Sequence, residues 1–70
     1  MSEEREVLYR QAVVWLESGG GRSRWETLLK GVVRCTVTLG NETCEAVGYG
    51  ELEAARQNAL LHAIEELQSR

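Results

Sequence analysis

VVRCTVTLGNETCEAVGY, residues 32–49, is the stretch whose reading decides the fold. In its first half Val33, Cys35, Val37 and Leu39 alternate with Val32, Arg34, Thr36 and Thr38, the period-two pattern of a strand with one apolar face. Gly40-Asn41 follows, a two-residue turn with Gly first, as a type II′ hairpin prefers. Residues 42–49 form the returning strand. A two-residue turn fixes the register, with Leu39 opposite Glu42, Val37 opposite Cys44, Cys35 opposite Ala46 and Val33 opposite Gly48 on the apolar face. Thr38/Thr43, Thr36/Glu45 and Arg34/Val47 then share the other face. Cys35 and Cys44 lie diagonally in this register, too far apart for an unstrained bridge, so both are expected as free thiols.

Downstream, Gly48-Tyr49-Gly50 breaks the strand and a helix is predicted over residues 51–68. Leu52, Ala55, Ala59, Leu60, Ala63, Ile64 and Leu67 line one side of it, and the small members of that stripe allow close approach to a sheet. Leu61 falls opposite the stripe and is expected to be exposed, while His62 on the flank reads as a structural or solvated side chain.

Upstream, residues 22–30 read as a first strand with Trp25, Thr27 and Leu29 on one face. Leu28 breaks the alternation, and a helical turn over residues 25–29 fits so short a window as well. Ser18-Gly19-Gly20-Gly21 reads as a helix stop and flexible connector. It lacks the preceding strand and the terminal Gly-Lys-Ser/Thr of a phosphate loop. A first helix is predicted over residues 3–17, with Ser2 as the capping side chain and Glu3, Glu4 and Glu6 at the positive end of the macrodipole. Leu8, Tyr9, Ala12, Val13, Trp15 and Leu16 share its apolar arc. Val7 and Val14 lie off that arc, one heptad apart.

Helix, three strands, helix places the chain in the α+β class. The expectation is one domain over residues 1–70, an α-β-β-β-α two-layer sandwich with a three-stranded antiparallel sheet and both helices on one face.

A chain of 70 residues buries only about 60% of its unfolded surface, so support from self-association or a protein partner is expected. The first ten residues are acidic and hold no apolar segment, and no apolar run reaches the roughly 20 residues of a membrane span. The expectation is therefore a soluble, cytoplasmic protein without a signal peptide or membrane contact. Two Cys and one His without a Cys-x-x-Cys pair make no zinc set, and no cofactor is expected. Glu51/Glu53 and Glu65/Glu66 are paired acids with no nucleophile, base and orienting group around them, so an enzyme is not expected.

The net charge of −3, from 11 acidic and 8 basic residues, argues against a general polynucleotide binder, because neutralising phosphates needs clustered Lys and Arg. Within it lies a local basic segment. Arg22, Arg24, Lys30 and Arg34 are opposed there only by Glu26.

The element order and the residues Val33-Arg34-Cys35-Thr36-Val37-Thr38-Leu39, Gly48, Gly50, Ala55-Arg56-Gln57-Asn58-Ala59-Leu60, Ala63-Ile64 and Leu67 resemble a double-stranded-RNA-binding domain over half the chain. The parts with which that family grips RNA differ. Where the family opens its second helix with Lys-Lys-x-Ala-Lys, this chain has Leu52-Glu53-Ala54-Ala55-Arg56, and Lys30-Gly31 leaves no room for the family's Gly-Pro-x-His loop. Losing those phosphate contacts removes much of an electrostatic affinity. The resemblance implies a degenerate member acting through protein contacts.

Gly48-Tyr49-Gly50 before a helix is also similar to the regulatory-domain repeat of isopropylmalate synthase, and more loosely to small HicB-type antitoxins.

Function is thus expected to be that of a small non-enzymatic adaptor that binds a protein partner or self-associates, with Val7, Val14 and Leu61 as candidate interface residues. Two alternatives stand beside it. One is weak nucleic-acid binding through Arg22, Arg24, Lys30, Arg34 and Arg56; the other is small-ligand sensing at the turn over residues 48–52.

Overall fold

Alternation, turn glycines and helical stripes fold as the periodicities require. The computed structural model describes residues 2–69, with the elements α1 (Ser2–Ser18), β1 (Arg22–Leu29), β2 (Val32–Leu39), β3 (Glu42–Tyr49) and α2 (Leu52–Gln68) in that order. The expected capping contact of the Ser2 side chain lies outside the described residues. The sheet is antiparallel with strand order β1-β2-β3. Every β2–β3 pair follows the register read from the sequence. Gly40 takes a positive φ of 64° and Asn41 does not, as a type II′ turn requires.

The glycine run closes α1 with a Schellman motif. Gly20 is left-handed at φ 77°, its N–H donates to the Glu17 carbonyl at 3.0 Å, and the Gly21 N–H donates to the Leu16 carbonyl at 2.8 Å. Two of the helix's orphan carbonyls are satisfied in this way.

The strand expected over residues 22–30 forms as Arg22–Leu29, with Lys30 in the turn, but its facing changes along its length. Trp25 pairs with Cys35 and Thr27 with Val33, on the face the helices cover. A bulge at Leu28 then puts Leu29 opposite Val32, on the other face. Leu29 therefore does not share a face with Trp25 and Thr27, contrary to the simple alternation.

The core lies between that inner face and the two helices. Val33, Cys35, Val37 and Cys44 are buried beneath Ala55, Ala59, Leu60, Ala63, Ile64 and Leu67 of α2, with Ala12 and Leu16 of α1 completing the layer. Alanines at 55, 59 and 63 let α2 lie against the sheet, and Gly48 is the point of closest approach. A Cβ at Gly48 would stand 2.7 Å from the Ala59 nitrogen and nearer still to the Ala55 carbonyl oxygen. Only a hydrogen fits there.

Burial corrects four sequence assignments. Leu8 and Trp15, expected in the buried arc, are exposed, because α1 packs mainly along α2 with Ala12 and Leu16 buried and Tyr9 and Val13 half-buried. Leu52, expected on the buried stripe of α2, is exposed as the first residue of a helix that begins beyond the sheet. Leu61, expected to be exposed, is half-buried and packed against the core, since α1 crosses beside it.

Candidate functional site

Three surfaces hold the residues singled out by sequence. The first is the outer face of the sheet, which no helix covers. Alternation from the buried set puts Arg22, Arg24 and Glu26 of β1, Val32, Arg34, Thr36 and Thr38 of β2, and Thr43, Glu45, Val47 and Tyr49 of β3 on it. Arg22, Arg24 and Arg34 thus converge on one face. Their charge is largely offset there. Arg34 forms an ion pair with Glu26, and that hydrogen bond, the Glu26 charge and the more distant Glu45 all raise the Arg34 pKa. The pair is exposed on both sides, so it contributes little to stability.

Lys30 and Arg56 do not join them. Lys30 sits in the β1–β2 turn, beside a shallow notch shared with Gly31, Gly50, Glu51 and Leu52. Arg56 lies on the helical side of the sheet with its guanidinium 5.7 Å from the centre of the Trp25 ring, a cation–π arrangement. The five basic residues therefore occupy three places, and no single groove gathers them.

The second surface is the notch itself. The Gly50 N–H donates to the Gly31 carbonyl at 2.9 Å, which holds the β1–β2 turn against the start of α2. Glu51 is the N-cap and makes no side-chain capping bond, and Glu53 adds a second acid in the first turn. Two carboxylates at the positive end of the macrodipole disfavour an anionic ligand there.

The third surface is the outward side of α1. Val7 is 51%, Leu8 55%, Val14 61% and Trp15 37% exposed, and Leu61 of α2 closes the groove beside Leu8 and Trp15. At 100° per residue Val7, Leu8, Val14 and Trp15 fall within about a third of the helix circumference. Sequence reasoning found Val7 and Val14 here but missed Leu8 and Trp15. An arc of six apolar residues is wider than one neighbouring helix covers, and that width is the signal.

Cys35 and Cys44 are buried free thiols. Burial pushes Cys35 up to about 11, against a hydrogen bond from the Arg24 backbone that lowers it, so its thiolate is suppressed. Among the described residues no three His, Cys, Asp or Glu side chains are grouped to hold a metal ion, and no helix is long and apolar enough to cross a membrane.

The chain matches no protein-family model, no curated protein and no solved structure.

Proposed function

We propose that this chain is a non-enzymatic protein-interaction module of adaptor type, built on a scaffold that resembles a double-stranded-RNA-binding domain without its RNA grip. The observation that carries the reading is the outward stripe of α1. Val7, Leu8, Val14 and Trp15 are each more than a third exposed and share about a third of the helix circumference, so they form one contiguous apolar patch of the kind that often serves interaction. A partner's apolar ridge laid beside Leu61 fits this groove better than a polynucleotide does.

Further support comes from the start of α2. Of Leu52-Glu53-Ala54-Ala55-Arg56, Ala55 is buried, Glu53 repels phosphate and Arg56 is engaged over Trp25. The experiment compares partner recovery by the wild type and by Val7→Glu/Val14→Glu, whose sites are exposed and whose melting should be unchanged. A protein retained by the first and lost by the second supports the reading. Equal recovery by both, or recovery of nothing, refutes it.

The convergence of Arg22, Arg24 and Arg34 on the outer sheet face favours a second reading, weak polynucleotide binding. It predicts an affinity that falls steeply with salt and is lost in Arg24→Glu. A flat titration against duplex RNA at low salt removes it.

A further inference from the structure

We propose that the outer face of the sheet is a self-complementary dimer surface, which closes on the same face of a second copy about a two-fold axis running along β2. This proposal does not depend on the α1 stripe.

The register orders the face in rows across the three strands. Leu29, Val32 and Tyr49 form an apolar row at one end, with Leu29 70% and Tyr49 66% exposed. Glu26, Arg34 and Val47 form the next row, then Arg24, Thr36 and Glu45, then Arg22, Thr38 and Thr43. Outside the Glu26–Arg34 ion pair charge is divided laterally, with Arg22 and Arg24 along β1 and Glu45 on β3.

A two-fold axis along β2 keeps each row over itself and lays β1 on the partner copy's β3. Leu29 then meets Tyr49 of the second copy twice, with Val32 on the axis, and Arg24 meets Glu45 twice. Arg34 faces its own symmetry mate, and the Glu26 ion pair within each chain offsets that repulsion. The perpendicular axis does worse, because it lays the apolar row over Arg22, Thr38 and Thr43. Of the two, the first axis lays the apolar row on itself and adds two Arg24–Glu45 contacts, which outweigh Arg34 over its mate and Glu26 over Val47. It also leaves the strands nearly parallel, as aligned sheet packing requires.

The area is sufficient for a modest complex. Three strands at ~4.8 Å and eight residues at ~3.4 Å outline roughly 400 Å² in projection. With side-chain relief, two such faces bury on the order of 1,000 Å² in total, the lower limit of a specific interface. An interface of that size belongs with weak, transient complexes.

Sedimentation equilibrium on the full chain tests this with a charge swap. Arg24→Glu and Glu45→Arg should each weaken dimerisation about tenfold or more, because each places like charges at both contacts. An equimolar mixture of the two variants should pair, since both contacts then join opposite charges. Leu29→Glu should abolish association, whereas Val7→Glu/Val14→Glu should leave it unchanged. A wild type that stays monomeric at hundreds of micromolar overturns the proposal, and so do single variants that associate normally or a mixture that fails to pair. Loss of association in the α1 double variant would move the contact to the helix. Loss of duplex-RNA binding in Arg24→Glu with unaltered self-association would make the face a polynucleotide surface. Either result sinks the proposal.

Discussion

Gly48→Ala adds one methyl group to the middle of the helix–sheet contact, and its effect can be worked from the geometry. The new Cβ would lie 2.7 Å from the Ala59 nitrogen, where ordinary contacts begin at 3.4 Å, so α2 must lift by about 0.7 Å or more. The obstacle is α2 backbone at two points one turn apart, the Ala55 carbonyl and the Ala59 amide, so no rotamer change relieves it. A gap of 0.5–1 Å forfeits roughly a quarter to a half of each dispersion well, and Leu60 and Ile64 sit on the same helix over the same sheet. Overpacking alone costs about 1–3 kcal/mol, and the lost contacts put the total near 3 kcal/mol. Alanine's better strand entropy returns less than about 1 kcal/mol. For a small domain each kcal/mol moves the melting temperature by roughly 4–8 °C, so the net loss of about 2–3 kcal/mol predicts a fall of roughly 8–24 °C. Thermal melting followed by circular dichroism measures it. Ala55→Gly in the same chain should give no rescue, because the clash is with the carbonyl and not with the methyl. A Gly48→Ala protein melting within a few degrees of wild type, or rescued by Ala55→Gly, would refute the close-approach argument.

Two further outcomes follow from the core and its border. The Cys35 thiol is held up to about 11 from an ordinary 9.0 by burial. Its contribution to stability is therefore complete below pH 9 and is lost as pH rises through about 11; urea titrations across that window should show a decline that Cys35→Ala lacks, and an equal slope in both would contradict the assignment. Arg56→Ala removes the cation over Trp25 and should lower stability by about 0.5–1 kcal/mol. In a Trp15→Phe background the remaining Trp25 emission should shift to the red, and an unchanged spectrum would mean that Arg56 does not shield the ring.

Much of this fold is legible in eighteen residues of sequence because two constraints coincide there. Alternation from Val33 to Leu39 assigns faces, and Gly40-Asn41 allows one register, so the β2–β3 pairing has no freedom left. Alternation gives no such certainty in β1, where the bulge at Leu28 turns Leu29 outward. Helical periodicity has a different blind spot. It gives the direction of an apolar arc but not how much of that arc a neighbour covers, which is why Leu8, Trp15 and Leu52 proved exposed and Leu61 half-buried. The site residues show the same division. That Arg24 and Arg34 share a face follows from pairing β1 with β2, whereas Arg56 over Trp25 depends on where α2 crosses β1. Local sequence carries no record of that crossing.

The hairpin ends differ in a way that matters to anyone altering the chain. At Gly40 an added Cβ meets nothing within 4 Å, so the β2–β3 turn has room for a spliced peptide tag or fluorophore loop, which costs the slow logarithmic term of a longer connection and the left-handed glycine that helps to pin the register. At the opposite end the Gly31 carbonyl clasps the Gly50 N–H, and a lengthened β1–β2 connection would tear the seam that sets the launch angle of α2. Grafting a groove-reading loop between Lys30 and Gly31 would therefore dismantle the scaffold meant to display it.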